Sequence, residues 1–401
     1  MTPPLPPADA ADGTGDRVYP RKTAFPPSSH IFVEPSHCPA PFQAGFPAIA
    51  SVFPKGQDKD TVLGGAGMNY AMGFERINSV AVLTNPHSGK GSGMSTMGRA
   101  LDRFRQLGVT AVAYHGTGPH DSRRLAREAM ADGRFDAIVV CGGDGMINLV
   151  LQETAASGFP VGIIASGTGN DHARALGIPH QCPEMAVEVI AAGFTSTFDL
   201  GLVTGGDGSR NWFGTVACVG LDAAISERTN KMSWPTGATR YYAAIIRELV
   251  GFTPARYTLT LDGAAPIGAL PPAAKKHLQD QLAASGDRLV IDRPLVLAAF
   301  SNTGTYGGGM KIAPYADDKD GLLDITVVEA CSRRQLIANG TKFFSGALTS
   351  QPEYASVYRC RKATVEAAGA STCFADGDPM SPLPVTIECV AGAGRFIVPV
   401  P

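Results

Sequence analysis

Four short clusters of glycine and carboxylate carry most of the chemistry that can be read from this chain: Gly142-Gly143-Asp144-Gly145, Gly167-Thr168-Gly169-Asn170-Asp171, the run from Asp317 to Asp324, and Asp376-Gly377-Asp378. Glycine lets the backbone take positive φ and approach a ligand closely, and loop-borne carboxylates can hold a divalent cation directly or through water. The first cluster is the clearest. It ends the apolar run Ile138-Val139-Val140-Cys141 and precedes Met146-Ile147-Asn148-Leu149-Val150-Leu151, a pattern that restarts as a helix. A helix start aims free N–H groups at anionic oxygens, so this corner suits a phosphate or a magnesium nucleotide. A fifth stretch, Asn85 to Gly93, contains Gly89-Lys90-Gly91 but not the G-x-x-x-x-G-K-[ST] spacing of a P-loop, and alone it reads equally well as a polar turn.

These loops need strands behind them, and the flanking pattern supplies them. Residues 79–84, 109–115, 137–141 and 161–164 are short β-branched runs, separated by a helix with Leu101, Phe104 and Leu107 on one face and by helical periods at 121–130 and 147–154, with a further helix from 172 to 176. Alternating strands and helices make a parallel sheet covered on both faces, whose ligand-binding loops follow the carboxyl ends of the strands. Loops 85–93, 142–145 and 166–171 should therefore meet at one crevice. After residue 197 the pattern changes to short alternating runs at 212–219, 257–261, 289–301, 323–328, 363–367 and 385–390, the mark of an antiparallel β-rich domain. Within it, 239–249 reads as an amphipathic helix whose Tyr241 to Ile246 face reads as core in preference to a wall for an apolar ligand chain, and 264–288 as an insertion, helical around 275–284. The domains are thus an extension (1–78), a nucleotide-type α/β domain (79–196) and a β-rich domain (197–401).

With 401 residues, 44% of them hydrophobic, the chain can bury cores for two domains. The net charge of −2, from 34 basic and 36 acidic residues, gives no overall drive toward nucleic acid. The first 60 residues carry clustered prolines and no sustained period, which predicts an extended, largely disordered arm. Eight cysteines lack C-x-x-C or zinc spacing and read as thiols of a reducing compartment. Without an apolar run of spanning length or a leader pattern, a soluble, cytoplasmic protein is expected.

The assembled blocks resemble the diacylglycerol kinase catalytic domain family, which includes sphingosine and ceramide kinases. The resemblance covers residues 79 to 401 and rests on Asn85-Pro86-x-Ser88-Gly89, Gly142 to Gly145, Gly167 to Asp171, Gly307-Gly308-Gly309-Met310 through Asp320-Gly321-Leu322-Leu323-Asp324, and Asp376-Gly377-Asp378, in the family's order. It implies an α/β plus β fold: an N-terminal three-layer parallel-sheet domain related to the phosphofructokinase and NAD kinase type, then a β-sandwich domain that receives the lipid.

The same resemblance implies an ATP- and Mg²⁺-dependent lipid kinase acting on the hydroxyl of diacylglycerol or a similar long-chain alcohol. Asn85, Ser88, Gly143 and Thr168 would line the ATP site, with Gly142 and Gly145 shaping its turn. Asp121, Asp144 and Asp171 would organise Mg²⁺, Asp121 being equally readable as a cap for its helix. Asp378 would be the base, the alternative being a plain β-turn. Asp317 and Asp320 fit either a structural metal loop or an Asp-rich turn, and Asp222 would lie near the cleft. The chain departs from the family where Met146 and Leu149 stand for a threonine and a glutamate, Ala165 for a proline and His172 for an aromatic. Loss of that hydroxyl and carboxylate supports the alternative of a catalytically weakened nucleotide- or lipid-binding regulator. The implied partners are a membrane-derived lipid reached by transient contact at the membrane periphery, with no nucleic acid and a homodimer left open.

Overall fold

The structure, a computed structural model, describes residues 70–84, 92–235, 238–265, 267, 272–286, 288–339, 342, 345–351 and 354–401. The chain opens with β1 (Met72–Phe74), β2 (Ser79–Thr84), α1 (Ser92–Gln106), β3 (Thr110–His115), α2 (Pro119–Ala131), β4 (Ala137–Gly142), α3 (Asp144–Thr154), β5 (Val161–Ala165), α4 (Asp171–Ala175) and α5 (Pro183–Ala192). All six residues of β4 are buried, as a strand covered on both faces requires. Helix α1 buries Met97, Ala100 and Phe104, three or four residues apart on one face. Helix α1 packs with α5 and α2 with α3, so the parallel strands β3-β2-β4-β5 have a helical layer on each side. The strand order reverses between β2 and β4, and such a switch point opens a crevice at the strands' carboxyl ends.

Then follow β6 (Phe194–Gly205), β7 (Arg210–Phe213), β8 (Val216–Gly220), α6 (Leu221–Lys231), α7 (Ala238–Gly251), β9 (Ala255–Asp262), α8 (Pro272–Ser285), β10 (Arg288–Ser301), β11 (Leu323–Glu329), α9 (Arg333–Ala338), β12 (Ala355–Cys360), β13 (Lys362–Ala367), β14 (Thr372–Ala375), β15 (Asp378–Pro382) and β16 (Val385–Ile397). Every pairing among β6 to β15 is antiparallel, and their inward faces form a second core around Phe213, Leu259, Phe300, Ile325 and Tyr358. Strand β16 joins the two regions, running antiparallel to β6 and β13 and pairing with β5 in parallel through Phe396 and Val161. Consequently Ala393, Phe396, Ile397 and Val398 lie in the core of the N-terminal region.

Several elements differ from the sequence reading in ways that matter. Helix α3 begins at Asp144, three residues before the expected start, because Gly143 is its N-cap and the apolar period alone cannot mark a polar first turn. The expected strand 212–219 is broken at Gly214-Thr215, whose N–H groups are taken by a side chain described below. Strand β1 pairs with β6 inside the stretch assigned to the extension (1–78); three residues are too few to show a period. The run from Tyr241 to Ile246 is only partly core, since Ala244 is buried whereas Tyr242 and Ile246 are 52% and 67% exposed. Six cysteines are free thiols as expected, Cys182 is disulfide-bonded against that expectation, and Cys38 lies outside the described residues.

Candidate active site

The loops after β4 and β5 pack backbone against backbone. Ser166 N–H donates to Gly142 O at 2.9 Å, and a Cβ on Gly167 would lie 2.6 Å from Gly143 Cα, so neither turn tolerates a side chain there. Asn170 closes the second turn in the left-handed region (φ 54°), its Oδ1 accepting from Gly167 N–H at 2.9 Å. This places Asp144, at the head of α3, beside Asp171, at the head of α4. A Cβ on Gly169 would sit 2.9 Å from Asp144 Oδ2 and 3.1 Å from Asp171 Oδ2, so the two carboxylates flank that glycine. Thr168 is exposed at the tip of the turn. Asn85 and Ser88 lie outside the described residues.

The acids in this cleft are used differently. Asp144 Oδ1 accepts from both the backbone N–H and Nδ1 of His172, each at 3.1 Å, while Oδ2 accepts no hydrogen bond among the described residues. Burial alone would raise its pKa, but His172 outweighs burial and holds the carboxyl below its ordinary range. Asp171 is engaged at both oxygens: Oδ1 by Arg174 Nη1 (2.8 Å) and Gly309 N–H (3.1 Å), Oδ2 by Gly308 N–H (2.8 Å). It thereby ties the Gly307–Gly309 turn to the nucleotide loops, and burial still raises its pKa.

Asp376 is the most enclosed of the four. Its side chain is wholly buried, in the left-handed region at φ 51°, and it accepts from Asn148 Nδ2 (2.9 Å), Gly214 N–H (2.9 Å), Thr215 N–H (2.9 Å) and Thr215 Oγ1 (2.6 Å). His172 Nε2 stands 3.5 Å from its Oδ2. Burial opposes the charge, but the imidazole and these donors hold Asp376 far below the ordinary carboxylate range. The imidazole in turn would lose its proton by burial were Asp376 and Asp144 not beside it; together they push its pKa up to about 10. Asp378, two residues on, makes no side-chain hydrogen bond among the described residues. It faces the head of α3, where a Cβ on Gly145 would lie 3.4 Å from its Oδ2, and burial with the Asp376 charge raises its pKa.

The remaining predicted acids lie elsewhere. Asp121 accepts from Thr117 N–H (3.0 Å) and Oγ1 (3.1 Å) and pairs with Arg124 at 2.5 Å, a first-turn role in α2. Among the described residues no group of three or more His, Cys, Asp or Glu is arranged to hold a metal. Asp317 accepts from Lys319 N–H and Asp320 from Leu322 N–H, each at 3.0 Å, and Arg359 pairs with Asp320 (3.0 Å) and with Asp324. A guanidinium therefore supplies positive charge beside Asp320 and Asp324. Asp222 is buried at the head of α6, with Tyr241 Oη 3.4 Å from its Oδ1.

The sequence reading did not single out Asn148 or Gln152 as site residues, nor His172 as a link. A signal was present for the first two: Asp144, Asn148 and Gln152 are spaced i, i+4, i+8, one polar stripe on α3. Asn148 and Gln152 bind Trp212 O at 3.0 and 2.8 Å, and Gln152 Oε1 accepts from Trp212 N–H at 2.9 Å, so the stripe docks α3 on β7. Met146 is buried and Leu149 packs against the N-terminal core, so both departures are absorbed as core side chains.

Comparison with known proteins agrees with this fold. Residues 79–203 match the diacylglycerol kinase catalytic domain and residues 215–398 the YegS C-terminal NAD kinase beta sandwich-like domain. A diacylglycerol kinase of Mycobacterium tuberculosis is 39% identical over 323 residues, which is 80% of this chain and 96% of that protein. The chain belongs to the diacylglycerol kinase catalytic domain family. A probable lipid kinase YegS-like of Stenotrophomonas maltophilia is 27% identical over 318 residues, covering 78% of this chain and 94% of the relative. A crystal structure of a putative diacylglycerol kinase from Bacillus anthracis str. Sterne shares the fold, with a TM-score of 0.62 at 19% identity over 81% of this chain and 98% of that one. No helix of the described residues is long and apolar enough to cross a membrane.

Such a cleft has two unlike walls. One offers the N–H groups at the head of α3 and the open oxygen of Asp144, suited to a phosphate and its counter-ion. The other offers Asp378, a carboxylate with a raised pKa and no side-chain hydrogen bond among the described residues, suited to taking a proton.

Proposed function

We propose that this protein is an ATP- and Mg²⁺-dependent lipid kinase that transfers the γ-phosphate to the hydroxyl of diacylglycerol or a similar long-chain alcohol. Its relatives' names support the acceptor class, and one observation carries the chemistry: Asp378 Oδ2 faces Gly145 at the head of the same helix whose first residue, Asp144, keeps an oxygen open. Transfer to an alcohol requires the hydroxyl in line with the phosphate and a group to accept its proton. Asp378 takes that proton as the oxygen bonds to phosphorus and the ADP oxygen leaves. Its raised pKa makes it a stronger base than an exposed aspartate. Asp144, through Oδ2, would hold Mg²⁺ through its retained waters, and Asp171, across Gly169 and itself held by Arg174 and two glycine N–H groups, would line that site; magnesium uses few direct carboxylates beside phosphate oxygens. When bound, the ion neutralises charge on the β- and γ-phosphates.

The test is transfer from γ-labelled ATP to diacylglycerol, a sphingoid base, ceramide and a soluble alcohol, with wild type and Asp378→Asn. Wild type should label a lipid alcohol, and Asp378→Asn should lose roughly 10²–10⁴-fold in kcat, the usual worth of a positioned base, while still binding Mg-ATP. If wild type labels no acceptor but binds Mg-ATP, the chain is a binding regulator instead. Met146 and Leu149, packed inward, bring no hydroxyl or carboxylate to the phosphates, which is what favours that second reading.

A further inference from the structure

His172 joins carboxylates from opposite walls of the cleft. Its ring nitrogens reach Asp144 on one side (Nδ1, 3.1 Å) and Asp376 on the other (Nε2, 3.5 Å), and its backbone N–H adds a second contact to the same Asp144 oxygen. The ring is 3% exposed and lies close against the Gly214 backbone: a Cβ there would sit 2.5 Å from Nε2 and 2.7 Å from Cδ2. Gly214 N–H itself binds Asp376, so the backbone that walls in the ring also anchors its acidic partner. The Asp144 contacts are directional hydrogen bonds, whereas Nε2 faces Asp376 as an ion pair without a hydrogen bond among the described residues. Occupying Oδ1 of Asp144 leaves Oδ2 as the oxygen presented beside Gly169, and restraining Asp376 restrains the turn that carries Asp378.

We propose that His172 is a positioning residue that sets which oxygen of Asp144 faces the nucleotide and couples that choice to the placement of the Asp378 base. The proposal rests on the kinase reading above for its kinetic consequence, but its Asp144 half concerns nucleotide binding alone. The two ring nitrogens act separately, Nδ1 on the nucleotide wall and Nε2 on the base wall.

Amide side chains separate the two contributions. In His172→Asn the amide nitrogen takes the place of Nδ1 and keeps the Asp144 contact; in His172→Gln it takes the place of Nε2 and keeps the Asp376 contact; His172→Phe keeps a ring and neither. Mg-ATP affinity by calorimetry and kcat and KM on the best lipid acceptor are measured for all three, with thermal unfolding to identify variants that fail to fold. His172→Asn should bind Mg-ATP within about twofold of wild type and lose about 10–100-fold in kcat, the range seen when an orienting partner of a ligating group is removed. His172→Gln should weaken Mg-ATP binding about tenfold or more, with the smaller loss in kcat. His172→Phe should show both defects. Folded Asn and Gln variants with wild-type constants would overturn the proposal, as would equal losses in kcat and affinity in both, which mark a purely structural ring. If no variant folds, Asp144→Asn/His172→Asn and Asp144→Asn/His172→Gln doubles decide by unfolding: equal stabilities refute separate roles for the two nitrogens. A wild type that binds Mg-ATP without transferring phosphate would sink the kinase reading, and the affinity split between Asn and Gln would still decide this one.

Discussion

Replacing Asp376 by asparagine isolates the electrostatics of the buried link. Asparagine is nearly isosteric and tolerates the left-handed backbone at this position (φ 51°), so conformational strain adds little. What changes is that one carboxylate oxygen becomes an NH₂ group. All the neighbours of Asp376 are donors: Asn148 Nδ2 and Gly214 N–H at one oxygen, Thr215 N–H and Oγ1 at the other. Whichever way the amide turns, two donors then face a donor. The least costly choice puts NH₂ toward Thr215, whose hydroxyl can rotate to accept but whose N–H cannot. One buried N–H is left unpaired, at about 1–3 kcal/mol, and His172 loses one of its two counter-charges, Asp144 remaining, in a buried site. Breaking a buried pair from one side typically costs about 3–5 kcal/mol, and the total here should fall in that range. For a folded region of this size the fall in Tm should be roughly 10 °C, with urea unfolding at pH 7 showing a lower midpoint and an unchanged slope. A midpoint equal to wild type would refute the reasoning, because it would mean that Asp376 is not held as an anion by these donors.

Two further outcomes follow from the same kind of contact. The folded pKa of His172, about 10, lies above its ordinary 6.5, so the stability it contributes is complete below pH 6.5 and is lost as pH rises toward 10; urea midpoints of wild type should fall over that interval more steeply than those of His172→Phe. Arg359→Gln leaves Asp324, whose side chain is 2% exposed, without its cation, and should destabilise by about 3 kcal/mol; millimolar Mg²⁺ should leave wild-type Tm unchanged, whereas a Mg²⁺-dependent Tm that disappears on substituting Asp317 and Asp320 would show a metal loop.

The fold was legible because its signals are local. Buried β-branched runs such as Val139-Val140 and Ile163-Ile164 alternate with helical periods, and glycine turns mark the strand ends, so the parallel sheet and its crevice follow from neighbours in sequence. Strand β6 was missed because it is buried almost throughout, leaving no alternation, and β14 and β15 because four or five residues carry too little period. Within the site, types were legible and roles were not. Asp376 and Asp378 are interchangeable as text, yet the first is saturated by partners up to 228 residues away and the second is bare. Likewise the engagement of Asp171 depends on Gly308 and Gly309, 137 and 138 residues on, a contact that no local pattern encodes.

Those long-range donors decide which carboxylates are free for chemistry. Four aspartates crowd this cleft, and if all were equally solvated their mutual repulsion would raise every pKa and leave no distinct base. Instead Arg174 and two glycine N–H groups occupy Asp171, four donors and an imidazole occupy Asp376, and His172 takes half of Asp144. What remains open is one oxygen of Asp144 on the helix wall and the whole of Asp378 opposite. Burial raises the pKa of Asp378, and the buried charge on Asp376 adds to that rise as a fixed neighbour without competing for the substrate proton. The two saturated acids are therefore as necessary to the cleft as the two open ones, because their saturation is what makes the others different.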